Sequence, residues 1–165
     1  MDVEMRPMRP EDEPEAVEVS SAADTLFAEA GLILPPDDPR VRATVLAIAD
    51  ELTVDGLVLR YKVAETDDGL VGEEGTFTIC SFWLVSALIE IGEADRARAL
   101  CERLLSHASA LGLYAEELDP ISGRHLGNFP QAFTHLALIN AVVHIIRAEE
   151  EADSSGVFVP ANAPM

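Results

Sequence analysis

Aromatic residues and cysteines are both scarce in this sequence. Phe, Trp and Tyr make up 5% of the 165 residues, so leucine, valine, isoleucine and alanine must form most of any core. The two cysteines, Cys80 and Cys101, fall on apolar faces of helical patterns, and neither belongs to a Cys-x-x-Cys pair. We therefore expect two buried free thiols, with a disulfide or a redox role as the less favoured alternative.

Basic residues are few as well. Eleven Lys and Arg stand against 30 Asp and Glu, which gives a net charge of −19 and a pI near 4.3. This charge repels phosphate backbones and anionic lipid surfaces, so we expect neither nucleic acid nor a membrane as a partner. No apolar run reaches the ~18 residues that span a bilayer, and the acidic start MDVEMRPMRPEDEPE lacks the apolar core of a signal peptide. These features predict a cytoplasmic protein.

Patterns typical of metal and cofactor sites are also missing from the sequence. The four histidines lack the spacing of metal ligands, and neither a phosphate-binding glycine loop nor a Ser-His-Asp pattern occurs. We expect no metal and no cofactor. His135 lies within an apolar helical pattern, which favours a core histidine over a ligand. Trp83 lies in the middle of another helical pattern, which favours a core position over a platform for a sugar ring.

What the sequence does contain is a hydrophobic, helical middle between two acidic ends. With 48% hydrophobic residues, the chain is long enough and apolar enough to bury a core. Residues 1–19 and 149–165 lack apolar periodicity and are predicted to be disordered, whereas residues 20–148 are predicted to form one all-α domain. Its five predicted helices run from Ser21 to Gly31, from Pro39 to near Asp55-Gly56, from Thr76 to Ile91, from Ala94 to Leu111, and from Phe129 to about Arg147.

Several helix ends carry recognisable caps. Asp37 or Asp38 precedes Pro39, which suits a first helical turn, and Gly92 is placed to end the third helix. Asn128 and Gln131 have the spacing of a capping box and predict the start of the fifth helix.

The order of the helices predicts their arrangement. The third and fifth helices are apolar nearly all the way round, and the fourth is amphipathic, as inner and outer helices of a concentric ring would be. No sheet is needed. The two long loops lead into the two apolar helices, so we expect both loops at the same end of the ring. Five helices are too few to cover the apolar ones, which predicts a missing partner surface.

The acidic loop before the fifth helix is the best place for chemistry. Glu116, Glu117 and Asp119 fall within four positions, and crowded carboxylates raise one another's pKa, which suits a general base. A solvated surface loop is the competing interpretation in so acidic a chain. A second candidate cluster combines Glu73-Glu74, ahead of the third helix, with Arg60-Tyr61 upstream. The helix N-terminus alone can account for those acidic residues.

Three stretches of the chain resemble consecutive segments of bacterial glycoside hydrolase family 15, from roughly Ser21 to Ala148. They read LPPDDPRV, EEGTFTICSFWLVSALIEIGEADRARALCERLL and GLYAEELDPISGRHLGNFPQAFTHLALINA. The resemblance implies an (α/α) toroid built from six helical hairpins, of which about five helices of twelve are present. It also implies inverting hydrolysis of α-glucosidic bonds, in trehalose or an α-glucan, by two glutamates.

The resemblance further assigns roles to individual residues. Glu116 is similar to the family's general base, and Glu117 beside it to a contact with substrate or water. Arg60, with Tyr61, resembles a site that binds sugar hydroxyls. Leu118 stands where relatives often have an aromatic residue.

Other departures from the family limit the prediction. The family's acid lies far upstream of these segments, and residues 1–20 resemble nothing in the family. We therefore expect a C-terminal part of the catalytic domain that is inactive alone and self-associates through exposed apolar helices. Two alternatives stay open: one half of a split glycosidase that pairs with a complementary upstream part, and a helical interaction module without catalysis.

Overall fold

A computed structural model of the protein describes residues 34–62 and 75–154. The predicted first helix, the predicted disorder of residues 1–19 and 155–165, and Glu73-Glu74 lie outside these ranges. The described chain divides at Val41 into two units, and everything that follows on the site concerns the second unit, from Arg42 onward.

The described residues are mostly helical, with short antiparallel strands between the helices. In chain order the elements are α1 (Pro39–Glu51), β1 (Thr53–Val54), β2 (Leu57–Val58), β3 (Thr76–Phe77), α2 (Thr78–Glu90), α3 (Ala94–Ser106), β4 (Glu117–Leu118), β5 (His125–Leu126) and α4 (Ala132–Ser154). No helix within the described ranges is long and apolar enough to cross a membrane. The expectation that no sheet is needed was wrong, because small sheets connect the helices.

Helix α1 begins as predicted but ends early. Asp38 accepts the Arg40 N–H at 2.8 Å, which caps the first turn around Pro39. The hydrogen bonds from Arg40 hold the pKa of Asp38 at about 2. The helix stops at Glu51, because the next residues turn back as the hairpin β1–β2. Its two-residue turn, Asp55-Gly56, has both φ angles positive, as a type I′ turn requires.

Helix α2 is the central helix and packs against both α3 and α4. It starts two residues later than predicted, because Thr76 and Phe77 pair with β4 instead. Gly92 ends it as predicted, with φ +81° and the hydrogen-bond pattern of a Schellman motif. The core position expected for Trp83 was wrong, since its side chain is 54% exposed.

Helix α3 is amphipathic, as predicted, but shorter. Ala97, Cys101 and Leu104, spaced by four and three residues, form its buried face. The helix ends at Ser106 rather than Leu111, because Ser109 takes part in a separate turn. In that turn the Ser109 carbonyl accepts the Gly112 N–H at 2.8 Å and its hydroxyl accepts the Leu113 N–H at 3.0 Å.

Helix α4 differs most from its prediction. It begins at Ala132 rather than Phe129 and continues to Ser154, six residues into the segment predicted to be a disordered tail. The capping box predicted for Asn128 was wrong, because that side chain bonds elsewhere. Gln131 takes the capping place, and its side-chain oxygen accepts the Phe133 N–H at 3.4 Å.

Two apolar surfaces of the described chain remain uncovered. Helix α4 packs through small residues, Thr134, Ala137 and Ala141, while four large ones are exposed: Phe133, Leu136, Ile139 and Ile146. On the other side of α2, a groove of about 210 Å³ runs beside Trp83. Apolar surfaces of this kind mark contact with another protein surface. They fit the missing partner surface that the helix count predicts.

Candidate active site

The acidic loop, residues 113–131, lies over the first turns of both α2 and α4. The Glu116 carbonyl accepts the Thr78 N–H at 3.0 Å, and the Ala115 carbonyl accepts the Thr134 hydroxyl at 3.2 Å. Thr78 opens α2 and Thr134 lies in the first turn of α4. The first turns of these two helices are therefore joined by the same loop. Residues 63–74 of the other long loop lie outside the described residues, so its expected place at the same end stays a prediction.

Tyr114 anchors the start of this loop in the core. Its ring is 1% exposed and meets the Phe82 ring edge-on, with centroids 5.5 Å apart. Its hydroxyl donates to the Leu104 carbonyl at 3.1 Å, and burial raises the pKa of that hydroxyl. Because the ring is fixed on α2 and α3, the residues that follow it start from a fixed point.

His135 holds the same part of the loop from α4. Its Nε2 accepts the Tyr114 N–H at 3.3 Å, and its Nδ1 lies 2.7 Å from the Gln131 carbonyl. Only a neutral ring with the proton on Nδ1 can make both bonds. The histidine is thus a structural residue whose two nitrogens bond the main chain, as its apolar helix predicted.

Glu116 is half-buried, and one oxygen of its carboxylate is bound by Asn128. Oε2 accepts the Asn128 N–H at 3.2 Å and the Asn128 side-chain amide at 3.1 Å. Gly127, with φ +70°, makes room for this contact, since a Cβ there would lie 2.9 Å from Oε2. Among the described residues, no donor reaches Oε1.

Glu117 points away from Glu116 and has different partners. Its Oε2 accepts the Gly75 N–H at 3.0 Å, beside the start of β3. Glu117 also lies between Phe77 and Leu126 in the register of the three-stranded sheet. Glu116 precedes β4 and bonds Asn128, whereas Glu117 bonds Gly75, so the two carboxylates have separate surroundings.

Asp119 belongs to a turn rather than to a carboxylate cluster. Its carboxylate accepts the Ser122 hydroxyl and the Ile121 N–H, and these bonds lower its pKa. The sequence expectation that the crowded carboxylates raise one another's pKa was therefore wrong for Asp119. The Asp119 carboxylate stabilises the turn through its hydrogen bonds.

Arg60 and Tyr61 form an exposed stack next to β3. The Arg60 guanidinium lies 4.8 Å from the centre of the Tyr61 ring and 5.1 Å from that of Phe77, and it donates to the Tyr61 hydroxyl at 3.0 Å. Phe77 is directly opposite Glu117 in the sheet. The structure thus places Arg60, Tyr61 and Glu117 next to Phe77, whereas the Glu116 carboxylate contacts Gly127 and Asn128.

Two residues at the site were not predicted as functional from the sequence. Asn128 was interpreted as a helix cap, and Gly127 was given no role, yet these two shape the surroundings of the Glu116 carboxylate. Their place in the same family-like stretch as Glu116, twelve residues or fewer along the chain, was the one signal that could have found them. Within residues 34–62 and 75–154, no three His, Cys, Asp or Glu side chains are grouped to hold a metal ion.

One family model matches most of the chain. The model of "Glycosyl hydrolases family 15" matches residues 11–143. The match begins ten residues before the start expected at Ser21, so the expectation that residues 1–20 lack any resemblance was wrong for its second half. No solved structure matches the chain.

Several curated proteins named as trehalases are similar to this chain. A trehalase of Mycolicibacterium smegmatis is 81% identical over 143 residues, which cover 87% of this chain and 21% of that protein. One of Mycobacterium tuberculosis is 86% identical over 132 residues, covering 80% and 19%. One of Thermoplasma acidophilum is 46% identical over 107 residues, covering 64% and 18%. The chain spans about a fifth of the length of these relatives.

Proposed function

Because this chain belongs to glycosyl hydrolase family 15, we propose that it supplies the general-base side of an enzyme that hydrolyses trehalose or a related α-glucoside. The observation that carries the proposal is the geometry of Glu116. Its main chain is fixed to α2 and to the segment before α4, one carboxylate oxygen is bound by Asn128, and no described residue donates to the other oxygen. The names of the similar proteins favour trehalose as the substrate.

The proposed reaction is inverting hydrolysis. Oε1 of Glu116 takes a proton from a water molecule, and that water attacks the anomeric carbon from the face opposite the leaving sugar. A carboxylic acid on the other side protonates the leaving oxygen, at the separation of about 6.5–9.5 Å that leaves room for the water. We propose that this acid comes from the part of the family domain that the chain does not cover.

Arg60, Tyr61 and Glu117 are proposed to bind sugar hydroxyls. A guanidinium stacked on aromatic rings presents its N–H groups at the rim of the stack, where hydroxyl oxygens can accept them. Glu117 is paired with Phe77 across β3 and β4, so the two side chains project from the same face of the sheet. Together these groups would bind hydroxyls of a sugar ring next to Phe77.

The apolar surfaces of α4 and of the Trp83 groove are proposed to seat the rest of a partial (α/α) toroid. Phe133, Leu136 and Ile139 are each more than 60% exposed, and they lie on the side of α4 that faces away from α2. The same surface accounts for the alternative outcome, self-association of the isolated chain. In either case the purified chain alone is expected to lack activity, because general acid catalysis alone contributes about 10²–10⁴-fold.

Reconstitution tests this proposal. The purified chain is mixed, or co-expressed, with the M. smegmatis trehalase from which the matching 143-residue segment has been deleted, and glucose release from trehalose is measured. We expect no release from either part alone and release from the pair. Glu116→Gln should lower it by about 10²–10⁴-fold. Glu102→Gln, an exposed change on α3, is the matched control and should leave it unchanged.

Three other results would change the proposal. Glucose release by the chain alone, abolished by Glu116→Gln, would show that the acid is present within it. Loss of activity with Glu117→Gln but not with Glu116→Gln would move the base to Glu117. If neither glutamate nor Arg60 affects the reconstituted pair, the chain is a helical interaction module.

Proton NMR of early product should show equal α- and β-glucose, as inversion at one of two α bonds requires.

A further inference from the structure

We propose that Asn128 is the positioning residue of the base, holding Glu116 through Oε2 so that Oε1 is the atom that accepts the proton. This inference rests on the function proposed above. Both hydrogen bonds that Asn128 donates to Glu116 end on the same oxygen, at 3.2 Å from the main-chain N–H and 3.1 Å from the side-chain amide. These two bonds favour the orientation in which Oε2 faces Asn128.

Asn128 is itself held by the main chain around it. Its carbonyl accepts the Glu116 N–H at 2.9 Å, so the two residues bond reciprocally. Three residues later, the Gln131 N–H donates to the Tyr114 carbonyl at 2.9 Å. The segments 114–116 and 128–131 are thus fixed side by side, so the exposed side chain of Asn128 starts from a main chain that is bonded to residues 114–116.

The orientation of the Asn128 amide follows from its chemistry. An ionised carboxylate accepts hydrogen bonds only, so the Nδ2 end must face Glu116 and the Oδ1 end must point away. The contact is charge-assisted and therefore stronger than a bond between neutral groups. Catalytic groups act efficiently when neighbouring residues fix their rotamers, and Asn128 would fix that of Glu116.

The contact can be tested on the 165-residue chain without any activity. In 15N-labelled protein, the Asn128 side-chain amide signals are identified by their loss in Asn128→Ala. They should shift in Glu116→Gln, which removes the carboxylate that accepts their hydrogen bond. Asn140, exposed on α4, is the internal control and should not respond to that substitution. If the signals of Asn128 and Asn140 behave alike, the proposal is overturned.

Kinetics of the reconstituted enzyme test the consequence. Asn128→Ala keeps the main-chain N–H and removes only the side-chain donor, so kcat should fall by about 10–100-fold with KM changed less than about two-fold. Asn128→Asp keeps the size but places a second carboxylate beside Glu116. It should move the acidic limb of the pH–kcat profile to higher pH, because a like charge disfavours the ionised base.

These outcomes separate the inference from the proposed function. If Glu116→Gln abolishes activity while Asn128→Ala retains full kcat, Glu116 remains the base and the positioning role is overturned. If Glu116→Gln retains full activity, both fall together. A drop in kcat for Asn128→Ala together with the shifted profile of Asn128→Asp supports the role, since a general loss of structure would not shift the pH limb.

Discussion

Replacing Gly127 by alanine should have two effects: strain in the main chain of the turn, and steric crowding of Glu116 by the new Cβ. Gly127 has φ +70°, and an alanine Cβ there would lie 2.9 Å from Oε2 and 3.1 Å from Cβ of Glu116. Gly112 is the matched control, because its φ is +72° and a Cβ there would meet nothing within 4 Å. Both substitutions force a left-handed conformation on a residue with a side chain, but only one places an atom against Glu116.

The two effects have different expected magnitudes. The left-handed conformation costs roughly 1–2 kcal/mol at each site. At Gly127 the nearest atom is the end of a flexible side chain, so Oε2 can swing into solvent and the extra loss should be only about 1 kcal/mol, the value of a surface hydrogen bond. We expect Gly112→Ala to lower the free energy of unfolding by about 1–2 kcal/mol and Gly127→Ala by about 2–3 kcal/mol.

Urea unfolding followed by circular dichroism measures the first effect, and the Asn128 side-chain amide signals report the second. Those signals should lose their response to Glu116 in Gly127→Ala and keep it in Gly112→Ala. The reconstituted enzyme should lose activity only with Gly127→Ala. Equal losses of stability, together with an unchanged Asn128 response in both variants, would refute the role given to Gly127.

Three further predictions concern the core and the titrating groups. Tyr114→Phe should cost about 1 kcal/mol in urea unfolding and not more, because the Leu104 carbonyl keeps the His107 N–H as a donor; a loss above about 3 kcal/mol would contradict this. Burial, followed by the charges of neighbouring groups, lowers the pKa of His107 from 6.5. The unfolded chain therefore binds more protons just below pH 6.5, and the free energy of unfolding falls as the pH drops below that value. His107→Gln should flatten that slope in unfolding experiments at several pH values, and an unchanged slope would show that another group causes it. Burial raises the pKa of both Cys80 and Cys101. A thiol reagent at pH 7.5 should therefore react slowly with the folded chain and rapidly with both thiols in urea. Fast labelling of Cys101 in the folded chain would contradict its burial.

Local chemistry made several elements predictable. Asp38 and Pro39 define the start of α1, and Gly92 ends α2, because capping depends on residues only a few positions apart. The amphipathic pattern of α3 also located its buried face. Helix ends that depend on distant strands were predicted poorly. Thr76 and Phe77 look helical from their neighbours, but they pair with β4 some 40 positions away.

Burial of apolar residues was harder to predict than helix formation. A mostly apolar helix is expected to be buried on every side, and yet Trp83 and the large residues of α4 are exposed. The pattern of a helix records which surfaces are apolar, whereas burial also requires something to cover them. In the described chain α4 meets α2 through Thr134, Ala137 and Ala141, so its large side chains need another partner.

The sequence by itself determined the family and the helical character, because these depend on residue types at short spacing, and the family resemblance made Glu116 the candidate base of the acidic loop. Only the tertiary structure decided what each carboxylate of that loop contacts. Glu116 bonds Asn128, Glu117 bonds Gly75, and Asp119 bonds its own turn. Three acidic residues within four positions look alike in a sequence. They become different groups only through their partners, which include a glycine N–H 42 positions upstream of Glu117 and an amide 12 positions downstream of Glu116.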